Sequence, residues 1–209
     1  MDHAVALVET YLRVNGYLTV TEYPVLEAGK YGGYRSATDL DILAFRFPGA
    51  GRLVPGAGGS ESFIPDEELG SRPGESDMII GEVKEGKAEL NQAATDPVVL
   101  KVALVRFGCC RKDNAQPLVE GLLRDGHANT DFGHHVRLVA FGSTIGGATD
   151  RKYKTISFAH VVGFLANHIR EHWSILGQAQ FKDPVFGIFA LLQKSGAWDY
   201  RSRSDRATR

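Results

Sequence analysis

Only two of the 209 residues are cysteine, and they are neighbours, Cys109 and Cys110. Adjacent cysteines suit neither an ordinary disulfide nor the paired spacing of a zinc knuckle. Charge of one sign is also missing. With 24 Lys plus Arg against 25 Asp plus Glu, the net charge is −1. No global field draws the chain to a polyanion, so any nucleic-acid contact must come from a local patch. No unbroken apolar run approaches the length of a membrane span. The start, Met1-Asp2-His3-Ala4, has neither the basic residues nor the apolar core of a signal peptide. These absences point to a cytoplasmic protein with no membrane association. The Gly56-Ala57-Gly58-Gly59-Ser60 run lacks the Gly-Lys-Ser/Thr ending of a phosphate-binding loop. No internal repeat is visible.

What is present is an ordinary globular composition, 43% hydrophobic and 23% charged, in a chain long enough for one well-buried domain. Asp2 is a candidate N-cap for a helix to about Asn15, with Gly16 as its stop. Val5, Val8 and Leu12 form its apolar stripe, and Glu9 lies beside that stripe. A Thr/Val/Tyr-rich strand is expected over Tyr17–Leu26, followed by a Gly/Tyr turn through Arg35. A second strand, Thr38–Phe45, carries Asp39 and Asp41. The segment Pro48–Asp77, with seven glycines and four prolines, reads as an irregular connection or a loose hairpin near Leu53–Val54 and Phe63–Ile64. Further on, the pattern predicts helices at about 98–107, 117–124, 159–172 and 184–194, and strands at 135–141 and 154–158. The organisation is a single domain over 1–199, with a core at about 4–141 and C-terminal helices at about 159–194. The basic stretch 200–209 reads as a frayed tail.

The stretch Met78-Ile79-Ile80-Gly81-Glu82-Val83-Lys84 is an apolar strand that ends in an acid and a lysine. Strand alternation puts Met78, Ile80, Glu82 and Lys84 on one face and Ile79, Gly81 and Val83 on the other. The triplet Asp/Glu-x-Lys alone says little. Glu85-Gly86-Lys87 and Asp150-Arg151-Lys152 match the same pattern, the former just past the strand and the latter in a turn. Only Glu82-Val83-Lys84 follows an apolar alternating run, and an acid-bearing strand lies upstream of it. Two acids and a lysine on neighbouring strands suit a divalent metal and an activated water, the requirements of phosphodiester hydrolysis. The plain alternative is an exposed ion pair at a strand end.

In the order helix with Glu9, strand, strand with Asp41, strand with Glu82 and Lys84, then helix and strand, these residues resemble the PD-(D/E)XK nuclease superfamily. The resemblance is to its Mrr and Holliday-junction-resolvase-like branches and covers about Ala4 to Phe141. It implies an α/β restriction-endonuclease-like fold, a mixed central sheet flanked by helices, here with a C-terminal helical extension. It also implies a Mg²⁺-dependent deoxyribonuclease, with Mn²⁺ able to substitute. Asp41, Glu82 and the backbone carbonyl of Val83 would be its metal ligands and Lys84 its catalytic lysine. Glu9 matches an acid that some branches place on the first helix, either at the metal or in its outer shell. On its own residues, Glu9 is also placed to pair with Arg13 at i+4. Asp39 rivals Asp41 on the same strand face. Lys30, Arg35 and Gln92 are the candidate nucleic-acid contacts. The expected partner is DNA, cut by a homodimer or with a targeting partner, since no reader module is visible. A non-catalytic, nuclease-like binding subunit is the main alternative. A minor one is a zinc hydrolase using His168, Glu171 and His172, an H-x-x-E-H pattern on a predicted helix.

Overall fold

The computed structural model describes residues 2–28, 32–52, 63–146 and 152–199. Helix α1, His3–Val14, begins where the Asp2 carboxylate accepts the Ala4 N–H at 2.9 Å. It stops at Gly16, whose φ of +85° a side chain would resist. A Cβ there would also lie 2.6 Å from the Gly51 nitrogen, so the incoming loop fits only against glycine.

Three antiparallel strands follow, β1 (Leu18–Ala28), β2 (Tyr34–Arg46) and β3 (Ser76–Lys87). Helices α2 (Pro97–Arg106) and α3 (Ala115–Asp125) then lead to β4 (His127–Asn129) and β5 (His134–Thr144). Strand β5 lies parallel to β3, and β6 (Lys154–Ser157) lies parallel to β5. Among the described residues the sheet has six strands, five of them in the order β1-β2-β3-β5-β4 and β6 beside β5. Strands β4 and β6 occupy successive lengths of the outer edge of β5. The class is therefore α/β with a mixed sheet flanked by helices, as the alternation of patterns predicts.

Alternation divides the sheet into two apolar faces. Leu43, Met78, Ile80, Val136 and Leu138 pack with Leu100, Leu104, Leu118 and Leu122 of α2 and α3. Helix α1 packs on β1, β2 and β3, and its Tyr11 ring meets Phe141 edge-on at 6.4 Å. With both faces covered, β3 is buried from Asp77 to Val83, which is why its sequence is an almost unbroken apolar run.

The middle of β3 is flanked by charge. Near its start, Asp77 is 1% exposed and accepts two bonds from Arg137, at 2.9 and 2.7 Å, and one from the Tyr17 hydroxyl at 2.5 Å. The His135 ring lies 3.3 Å from the same carboxylate. Burial alone would raise the Asp77 pKa. The bonds from His135, Arg137 and Tyr17 and the guanidinium charge instead bring it down to about 2.

Several expected boundaries move. The expected turn through Arg35 gives way to strand from Tyr34 onward, because β2 pairs with β1 as far as Tyr34↔Ala28. Glu85-Gly86-Lys87 is strand rather than post-strand loop, held by the pairing of Lys87 with Thr144 and by the Ala88 N–H on the Thr144 carbonyl. Of the proposed hairpin in 48–77, Leu53 and Val54 lie outside the described residues. Residues 63–75 form no strand and carry a short 3₁₀ turn at Glu67–Leu69.

The chain divides into two compact units, residues 1–161 and 162–209. The boundary falls within α4 (Phe158–Glu171). The second unit continues with α5 (Trp173–Leu176) and α6 (Pro184–Lys194), the latter capped by Asp183 on the Phe186 N–H at 2.9 Å. Within that unit Phe189 packs beside Trp198, ring centroids 5.9 Å apart. Among the described residues no helix is long and apolar enough to cross a membrane. The stretch 200–209 lies outside them.

Candidate active site

The β2–β3 ladder runs from Arg46↔Asp77 to Ile42↔Gly81. The next residues along, Asp41 and Glu82, meet where the ladder stops. Here a side chain replaces the backbone pairing: Asp41 Oδ2 accepts the Val83 N–H at 2.8 Å. Gly81 permits the close approach, since a Cβ there would lie 2.5 Å from the Ile42 Cγ2 methyl. The strands therefore separate with two carboxylates between them, close enough for a hydrogen bond from one to the other when either is protonated.

Lys84 completes the group. Its ammonium forms an ion pair with Glu82 Oε1, and its side chain is 40% exposed while that of Glu82 is 1% exposed. The same oxygen accepts a bond from Asn91 Nδ2 at 2.6 Å. Burial pushes the Glu82 pKa up, the neighbouring Asp41 carboxylate pushes it the same way, and the Lys84 bond only partly opposes them. Burial would lower the Lys84 pKa, but its bond to Glu82 and the charges of both acids outweigh that and raise it. Two carboxylates thus face a single ammonium, and the arrangement is one positive charge short of balance. A hard divalent cation would more than cover that deficit. Mg²⁺ typically takes one or two carboxylates and keeps several waters, so a pair of acids open toward a half-exposed lysine fits it.

The structure brings Asp41, Glu82, Val83 and Lys84 together. It places the rival Asp39 on the exposed side of β2, across from Pro24 of β1. Glu9 is buried, with its carboxylate accepting from Arg13 at 2.6 Å and from the Thr19 hydroxyl at 3.0 Å. Both partners belong to the α1–β1 corner. Among the described residues no group of three or more His, Cys, Asp or Glu side chains is arranged to hold a metal. That leaves the acid pair without Glu9 as a third member. It also leaves the His168 and His172 rings, 4.8 Å apart on α4, without a third ligand. Burial lowers the His168 pKa to about 4, and His172 adds to the shift.

Arg35 and Gln92 line one open cleft of about 390 Å³ together with Glu27, Ser36 and Asp96. Arg35 is ion-paired with Glu27, so its charge is partly spent within the protein. Lys30 lies outside the described residues. The decoy Lys87 pairs with Glu89 at 2.9 Å in solvent, and of the third match only Lys152 is described. Comparison of the chain with protein-family models, with curated proteins and with solved structures gives no match. The functional reading therefore rests on the residues themselves.

One participant was not visible in the sequence. Asn91 contacts Glu82, whereas its neighbour Gln92 is exposed. The only local signal was an Asn three residues before Ala94, a spacing at which its side chain caps a turn.

Proposed function

We propose that the chain is a metal-dependent nuclease of the PD-(D/E)XK type that hydrolyses phosphodiester bonds, in DNA by preference, within the cytoplasm. The observation that carries this reading is the Asp41–Glu82 pair at the point where β2 and β3 separate, with Lys84 seated on Glu82. The element order supports it: α1, three strands, then α2, α3 and further strands, in keeping with the helix, three strands, helix and strand that the resemblance implies.

Asp41, Glu82 and the Val83 carbonyl would hold Mg²⁺ or Mn²⁺. When bound, the cation supplies Lewis acidity toward water and phosphate. Asp41 does a second job, since its bond to the Val83 N–H fixes the spacing of the two strands and with it the distance between the acids. Lys84 has a long flexible stem with its end near solvent. Turning from Glu82, its ammonium can stand against a phosphate oxygen as charge gathers there. Burial of Glu82 keeps its carboxylate away from competing water.

A second reading has one observation in its favour. Asp41 and Lys84 are both satisfied within the protein, by the Val83 N–H and by Glu82, as they would be in a nuclease-like subunit that binds without cutting. Incubating purified protein with labelled single- and double-stranded DNA and RNA, with Mg²⁺ or Mn²⁺, separates the two. Cleavage that Lys84→Ala abolishes supports the nuclease. Metal-independent binding without cleavage supports the subunit.

A further inference from the structure

Glu82 Oε1 has two donors of different character. Lys84 reaches it on a flexible, half-exposed stem. Asn91 reaches it from a short side chain fixed at both ends. Its Nδ2 donates to Glu82 at 2.6 Å, and its Oδ1 accepts the Ala94 N–H at 2.6 Å. Reversing the amide would set oxygen against carboxylate and NH₂ against N–H, so the two neighbours specify one orientation. The Thr95 hydroxyl also donates to the Asn91 carbonyl at 3.2 Å. These bonds close the 3₁₀ turn Ala93–Thr95, which runs directly into Asp96, the N-cap of α2.

The more the Lys84 ammonium is drawn toward a phosphate, the less of its charge and bonding is left for Glu82. When it leaves, something else must hold the Glu82 carboxylate in place. We propose that Asn91 is the positioning residue for Glu82, a fixed donor that keeps the carboxylate in its cation-binding orientation while Lys84 serves the substrate. The proposal rests on the nuclease reading and adds that the turn before α2 is part of the site.

Asn91→Ser tests this, because serine can still cap the turn through the Ala94 N–H but is too short to reach Glu82. Asn91→Thr is the second variant, on the same logic. Free Mn²⁺ measured by electron paramagnetic resonance gives the affinity directly, without turnover. Wild type should bind Mn²⁺, and either folded variant should bind it about 10–100-fold more weakly, the usual cost of losing a partner that orients a ligand. Its melting temperature should stay near that of wild type, and Gln92→Ala should keep full affinity. Wild-type Mn²⁺ affinity in a folded Asn91 variant would overturn the role of Asn91 and leave the nuclease reading standing. Absence of Mn²⁺ binding by wild type itself would overturn both.

Discussion

Replacing Asp77 by Asn keeps size and shape but removes the charge that Arg137 is built around. Arg137 is 7% exposed, and its guanidinium also donates to the Leu69 carbonyl at 2.5 Å, so it cannot swing out to water without breaking the β3–β5 region. A buried guanidinium left without its carboxylate costs roughly 3–5 kcal/mol. The depressed Asp77 pKa gives a lower figure, since a fall from 3.8 to about 2 corresponds to roughly 2 kcal/mol. At roughly 2–4 °C per kcal/mol for a chain of this length, the melting temperature should drop by about 6–20 °C. The pH dependence has a definite sign. A carboxylate whose folded pKa is depressed stabilises the fold above its ordinary pKa and loses that contribution as pH falls toward 2. The gap between wild type and Asp77→Asn should therefore be full at pH 6 and shrink below about pH 4. Differential scanning calorimetry across that range reads both quantities. Adding Arg137→Met to Asp77→Asn should recover part of the loss, because it removes the orphaned charge. A variant that melts within a degree or two of wild type at pH 6 would refute the reasoning. Asp77 lies five residues before Glu82 on the same strand, roughly 17 Å away, so cleavage well below the melting point should survive.

Two further expectations concern the site. Glu82→Gln should raise the melting temperature at pH 7 and change it little at pH 4. A raised folded pKa means the protonated form is favoured at acid pH, and that advantage is lost as pH rises through the raised value; calorimetry at the two values checks it. The same variant should cut at least about 10²-fold more slowly in the labelled-DNA assay. Glu9→Gln should cost about 0.5–1 kcal/mol through its Arg13 and Thr19 bonds and leave the Mg²⁺ dependence of cleavage unchanged. A defect that high Mg²⁺ repairs would return Glu9 to the metal site.

Much of the fold could be read from local chemistry. Asp2 and Gly16 mark the ends of α1, the Pro that follows Asp96 and Asp183 opens α2 and α6, and the apolar run of β3 announces a strand covered on both faces. Elements too short for a period were not visible, namely the three residues of β4 and the four of α5. The ends of β2 and β3 were also hidden, because cross-strand pairing rather than propensity carries them past their Gly- and charge-rich neighbours. At the site, Glu82 and Lys84 stood out because acid and lysine followed a buried strand. The choice of Asp41 over Asp39 needed the register, in which Asp41 falls beside Glu82 at the end of the ladder. Asn91 and Gln92 are equally polar and adjacent, and only the turn at Ala93–Thr95 settles which of them faces Glu82. The Asp77–Arg137 pair spans 60 residues, beyond any local pattern. For Glu9, the i+4 pairing with Arg13 was written in the sequence, while the Thr19 hydroxyl was brought to it by the turn into β1.

The most direct test of the central claim is cleavage of end-labelled duplex and single-stranded DNA by wild type, Asp41→Ala, Glu82→Ala and Lys84→Ala, each with Mg²⁺, with Mn²⁺ and with EDTA. The account predicts that wild type cuts only when metal is present and that all three variants, folded by circular dichroism, fail to cut. Cutting by wild type in EDTA, or undiminished cutting by Lys84→Ala, would contradict it.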